Sequence, residues 1–148
     1  VDKIRLGFTG TQLRPKETPS GMTDAQKRGL TVRLQAAVKK YGPGNVEFHH
    51  GDCIGADAEA HEIAVSILGV DAIWIHPGSN SQKRAHKWSP HILPPDDNLD
   101  RNRTMVRVTD GMIAAPRTMV EQFRGSGTWM TIREARNRQK KPLTILRP

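Results

Sequence analysis

Three short glycine-bearing stretches carry the residues best suited to chemistry: Gly7-Phe8-Thr9-Gly10-Thr11, Gly51-Asp52-Cys53-Ile54-Gly55-Ala56-Asp57 and Gly125-Ser126-Gly127-Thr128. Glycine lets the backbone come close to a ligand and adopt positive φ. A helix that begins in such a stretch offers free amides and the positive end of its dipole to an anion. Ser126 and Thr128 add hydroxyl donors for phosphate oxygens. A tight strand-to-helix turn needs glycine for its own sake, but three such turns meeting at one edge favour a shared anion site. Asp52 and Asp57 repel a phosphate. An acid beside such a site accepts bonds from sugar hydroxyls or polarises a reacting group. For Asp52 a simple helix cap is the other reading, and both stay open.

Further candidates lie outside the glycine loops. In Asn98-Leu99-Asp100-Arg101-Asn102-Arg103, Arg101 flanks the face shared by Leu99, Asn102 and Val106, from which an arginine could pair bidentately with phosphate. The alternative is an exposed, salt-laced helix face. His76 ends an apolar run, which makes it a candidate ligand contact or base. His49, His50, Cys53 and His61 match no zinc spacing, and His49 and His50 should point to opposite faces of a strand, so no metal is expected. Cys53 near a helix start suits a nucleophile, but no paired base is evident. Trp88 or Trp129 could stack on a base, with helix packing the stronger reading for Trp129.

The elements that must position these residues alternate. Strands are predicted at 4–8, 46–49, 72–75, 112–115 and 142–146, with helices at 24–41, about 56–68, 98–109 and about 127–138. Thr23 and Gln26 form a capping box for the first long helix, and Gly42-Pro43-Gly44 stops it. Asp97 or Asn98 caps the third. Residues 79–97 are polar, hold Pro90, Pro94 and Pro95, and show no convincing period. The pattern predicts one α/β domain over residues 1–148, a doubly wound, mostly parallel five-stranded sheet with helices on both faces. Ligands of such folds bind at the carboxyl edge.

The totals agree with a small folded domain. A chain of 148 residues suits one domain. The lone cysteine, Cys53, and the lack of any apolar run of about 20 residues predict a cytoplasmic protein with no membrane partner. Residues 1–100 hold twelve Lys and Arg against twelve Asp and Glu, whereas residues 101–148 hold eleven against three. The whole net charge of +8 therefore sits in the last third. It attracts nucleotide phosphates or a nucleic-acid backbone, unless it serves only solubility. Few aromatics are available to stack single-stranded bases: three Trp, three Phe and one Tyr.

The order Gly7-x-Thr9-Gly10, Gly51-Asp52-Cys53-x-Gly55-Ala56-Asp57, Asn98-x-x-Arg101-Asn102 and Gly125-x-Gly127-Thr128 resembles the SLOG superfamily over nearly the whole chain. That group includes the LOG cytokinin-activating enzymes, the DNA-processing protein DprA and, most similar here, small YspA-type proteins of bacteria and phages. The resemblance implies a Rossmann-like fold, a nucleotide or nucleotide-derived ligand, no separate cofactor, and a homo-oligomer. LOG enzymes carry Pro-Gly-Gly-x-Gly-Thr-x-x-Glu and cleave the N-glycosidic bond of nucleoside monophosphates. Here the glutamate position holds Thr131, so Asp52 or Asp57 would have to supply the carboxylate. In that version Ser126, Gly127, Thr128 and Arg101 hold the phosphate, while Thr9, Gly10 and the 51–55 loop bound the sugar. DprA-like members bind single-stranded DNA, which is the alternative function.

Overall fold

The computed structural model describes residues 2–12 and 21–148. In chain order the described elements are β1 (Ile4–Gly10), α1 (Asp24–Tyr41), β2 (Val46–His50), α2 (Ala56–Leu68), β3 (Ile73–Ile75), β4 (His91–Ile92), α3 (Asn98–Val108), β5 (Gly111–Ala115), α4 (Gly127–Arg133) and β6 (Leu143–Ile145). The strands form one parallel sheet in the order β4-β3-β2-β1-β5-β6. Leu6 pairs with Phe48 on one side and Gly111 on the other. Strand order reverses at β1, so the loops after β1 and β5 leave the sheet in opposite directions and open a crevice between them.

Local signals explain most of the elements. The Thr23 hydroxyl accepts from Gln26 N, and the Gln26 side chain accepts from Thr23 N. The Gln26 amide then donates to the carbonyls of Pro116 and Leu146, tying α1 to the ends of two strands. Leu30, Leu34 and Ala37 share the buried face of α1 and meet Leu6, Phe8, Phe48, Ile73, Ile75 and Ile113. Burial of each large side chain there contributes about 1.5–3 kcal/mol. Gly42, with φ of +93°, ends the helix by donating to Val38 O. On the opposite face Met105, Val106, Met112, Trp129 and Ile132 build two smaller clusters under α3 and α4.

The sheet has six strands, not the expected five. The additional strand β4 is two residues long and lies between Pro90 and Pro94 in the segment read as structureless. Such a strand has no period of its own. It is held by β3, with Leu93 N donating to Ile75 O and His91 stacked on Trp74 at 4.1 Å between ring centres. A second difference concerns the last helix, where the α-helical part ends at Arg133 and a π-helical turn runs over Glu134–Arg138. No helix among the described residues is long and apolar enough to cross a membrane.

Candidate ligand-binding site

The three glycine loops meet. With the first turns of α3 they enclose a cavity of about 460 Å³ at the carboxyl edge, across the reversal of strand order. That volume lies within the roughly 300–1,000 Å³ usual for small-molecule sites. Of the residues expected to form a site, Thr9, Gly10, Thr11, Gly51, Cys53, Asp57, Arg101, Asn102, Gly125, Ser126, Gly127 and Thr128 line it. Asp52, Gly55, Ala56 and His76 do not.

Arg101 is a brace. Its Nη1 donates to Gly51 O at 2.8 Å and His76 O at 3.1 Å, Nε to Asn102 Oδ1 at 2.7 Å, and Nη2 to Asn98 Oδ1 at 3.2 Å. The remaining donor faces the weak acceptor Cys53 Sγ at 3.7 Å. A guanidinium has five N–H groups, so bidentate pairing with a phosphate would require breaking this network. Gly51 exists for the same brace, since a Cβ there would stand 2.5 Å from Arg101 Nη1. Gly10 also serves packing, because its Cβ would lie 2.6 Å from that of Ala56.

The amides leading into α2 are engaged within the protein. Asp52 N donates to His50 Nδ1, Cys53 N to Asp57 Oδ2, Ile54 N to Lys83 O and Ala56 N to Thr11 O. Of the first-turn amides of α2, Ala56 N is thus taken up within the protein, while Asp57 N and Ala58 N precede the first intrahelical bond, Glu59 N to Gly55 O. Gly55 sits at φ of +106°, as the turn requires, and bridges to Gln12.

The two acids have separated roles. Asp52 adopts φ of +57°, which turns its fully buried side chain away from the cavity. There it accepts from Arg84 Nε at 3.1 Å and Lys87 N at 3.0 Å, pinning the long loop before β4. It caps no helix; the N-cap of α2 is Gly55. Asp57 is 5% exposed and faces the cavity. Its Oδ2 accepts from Cys53 N, and its Oδ1 is buried with no hydrogen-bond partner. Burial raises its pKa to about 6, against the lowering pull of Arg101. Burial, with Asp57 next to it, pushes the Cys53 thiol up to about 11, which leaves no thiolate for nucleophilic attack at neutral pH.

At the other side, Ser126 Oγ accepts from Trp129 N and caps α4. The amides of Gly127 and Thr128 precede the first intrahelical bond, and no described residue takes them up. Asn102 Nδ2 reaches only the weak acceptor Met130 Sδ, at 3.6 Å. Thr131, at the position of the LOG glutamate, is fully buried and spends its hydroxyl on Gly127 O. Trp129 packs against Ala114 and Ile132, while Trp88 is exposed and does not line the cavity.

The histidines pair off beneath the site. His49 Nδ1 lies 2.8 Å from His76 Nε2, and His50 Nε2 lies 2.9 Å from His61 Nδ1. Because His50 Nδ1 accepts from Asp52 N, its proton sits on Nε2 and His61 Nδ1 is the acceptor. The His76 ring faces His49 and does not line the cavity. Among the described residues the grouped carboxylates of Asp96, Asp97 and Asp100 are the one set placed to share a cation; they are exposed, and Asp97 caps α3. Burial lowers all four imidazoles, His76 to about 3 and His50 well below its ordinary value. Groups whose folded pKa is depressed stabilise the fold above the unfolded value near 6.5 and lose that contribution as pH falls. An imidazole that stays neutral to pH 5, as His76 does, costs about 2 kcal/mol there, whereas Asp57, with the opposite shift, offsets about 1 kcal/mol. The denaturation midpoint should therefore fall clearly between pH 7.5 and pH 5. An unchanged midpoint would contradict the buried imidazole pairs.

Gln12, Met105, Arg117 and Gln122 also line the cavity and were not anticipated, and Asn98, from the Asn98–Arg103 segment, lines it beside Arg101. Arg117 carried a usable signal, since it follows β5 by two residues and must lie at the carboxyl edge.

No protein-family model matches the sequence, and no curated protein matches it. Solved structures do share its backbone. The X-ray structure of TM1055, a structural-genomics target, superposes with a TM-score of 0.64 at 13% identity, covering 95% of this chain and 72% of that one. DNA processing protein A from Helicobacter pylori, described for its single-stranded DNA binding mode, superposes with a TM-score of 0.60 at 16% identity. That match covers 97% of this chain, which spans 65% of the Helicobacter pylori chain, just under two thirds. At such identities the likeness shows the fold, a Rossmann-like α/β architecture with a parallel sheet of six strands.

Proposed function

We propose that the chain binds a nucleotide or nucleotide-derived molecule in the cavity at the carboxyl edge. One observation carries this reading: three separate loops enclose a single polar cavity, with uncommitted amides at Gly127 and Thr128 on one side and an acceptor at Asp57 on the other. The phosphate belongs at the Gly125–Thr128 turn, helped by Asn102, and the sugar near Asp57 and Thr9. A narrower form of the proposal is hydrolysis of an N-glycosidic bond, in which water adds to the sugar carbon and the base leaves. Asp57 is the one carboxylate among the described lining residues and would stabilise the positive charge that develops on the sugar. A thermal-shift screen with nucleotides, NAD-derived molecules and short single-stranded DNA, followed by chromatography for released base, tests both forms. No stabilisation by any phosphate-bearing small molecule would refute the proposal.

The second reading is single-stranded nucleic-acid binding, favoured by the basic last third and the likeness to DNA processing protein A. Much of that charge is engaged internally: Glu134 receives Arg103 and Arg138, Glu121 receives Arg136, and Arg101 is buried. Salt separates the two. Backbone binding through several phosphates should weaken at least tenfold between 50 and 200 mM salt, and capture of one nucleotide much less.

A further inference from the structure

The proposed function leaves open which part of the ligand meets Asp57. We infer that it is a hydroxyl of the sugar, donating to Oδ1, and that the cavity therefore takes ribosyl phosphates in preference to their 2′,3′-dideoxy counterparts. This rests on the reading of the cavity as a nucleotide site.

Two observations and the chemistry of a buried carboxylate point the same way. Oδ1 of Asp57 is buried, unpartnered and belongs to a side chain that lines the cavity, so it is an acceptor kept for a guest. Leaving such a group unmet costs stability in the empty protein, and a ligand that donates to it recovers that cost. The donor is not cationic, because the Arg101 guanidinium borders the same pole, close to Gly51 and Cys53. It is not a phosphate, which the carboxylate would repel.

Spacing then selects the sugar over the base. Asp57 stands in the first turn of α2, which follows β2, and the Gly127 and Thr128 amides in the first turn of α4, which follows β5, with only β1 between those strands. Two strand spacings amount to roughly 10 Å. A span of that order accommodates a phosphate and the five-membered ring attached to it. A phosphate seated at α4 thus brings the adjoining ring hydroxyls to Asp57, while the base continues toward the mouth. A single charged acceptor in a water-poor site discriminates strongly against an analogue that lacks the donor, because the buried oxygen stays unmet.

The test is titration calorimetry with paired probes, the ribonucleoside 5′-monophosphates of the four bases and ADP-ribose against the 2′,3′-dideoxynucleoside 5′-monophosphates. Wild-type protein should bind at least one ribose probe tenfold or more tighter than its dideoxy partner. Asp57→Ala and the near-isosteric Asp57→Asn should each bring that ratio below threefold, with melting temperatures showing both variants folded. Equal affinities in the wild type overturn the inference while leaving the nucleotide reading in place. A ratio that survives in the folded variants removes Asp57 from the discrimination and overturns it as well. Failure of every ribose and dideoxy probe to bind overturns the nucleotide reading itself.

Discussion

Arg101→Met should destabilise the folded chain by about 3–4 kcal/mol, from loss of hydrogen bonds to two buried carbonyls and to two side-chain amides. In a chain of 148 residues that corresponds to a fall in melting temperature of roughly 10 °C. Methionine fills much of the arginine stem's volume, so the effect isolates the guanidinium. Lysine should rescue little, because one ammonium cannot bridge Gly51, His76, Asn98 and Asn102 together. The outcome also discriminates between roles. An arginine reserved for a phosphate would be dispensable for folding, and its loss would abolish binding in a protein of unchanged stability. A brace gives the opposite order, with the fold weakened first and the cavity deformed as a consequence. Thermal denaturation of the variant, showing a shift smaller than about 2 °C, would rule out the brace.

Gly127→Val should leave the fold intact and reduce ligand affinity by a factor of at least a hundred. A Cβ at Gly127 would meet nothing nearer than Asn102 Nδ2 at 4.0 Å, so the added methyls enter open cavity space and not packed protein. They would occupy the place where a phosphate approaches the Gly127 and Thr128 amides. Gly10 offers the contrasting case. Any side chain there collides with Ala56 and Phe8, so a loss of binding would only report a loss of structure. The two glycines look alike in sequence, and their surroundings give them different work. Calorimetric titration of Gly127→Val with the best ligand of the wild type measures the effect. Affinity within threefold of wild type would move the phosphate elsewhere.

What could be read from sequence follows the range of the interactions involved. The capping box at Thr23 and Gln26, the stop at Gly42 and the alternation of strands and helices are local, and the structure reproduces them. The meeting of the three glycine loops was also legible, because parallel strands place every strand-to-helix turn at one edge. Strand β4 was not, since two residues between prolines carry no pattern and depend on β3 for their bonds. The division of labour between Asp52 and Asp57 was hidden for a similar reason. A left-handed backbone at Asp52 sends one carboxylate to Arg84 and Lys87, more than thirty residues on, and leaves the other facing the cavity. Arg101 could be read as a phosphate ligand or as part of an exposed helix face, and its burial against two carbonyls was hidden because no sequence motif marks such partners. Sequence reasoning located the cavity better than it assigned the groups inside it.

The most direct measurement is an amide chemical-shift titration of isotopically labelled protein with the ribonucleoside 5′-monophosphate that stabilises it most. Saturable shifts should cluster at Thr9–Gln12, Gly51–Asp57 and Gly125–Thr128, and persist when salt is raised to 200 mM. Shifts confined to exposed cationic residues away from the three loops, such as Arg107 and Lys140, that vanish with added salt, or no shifts at the three loops, would contradict a nucleotide site at the carboxyl edge.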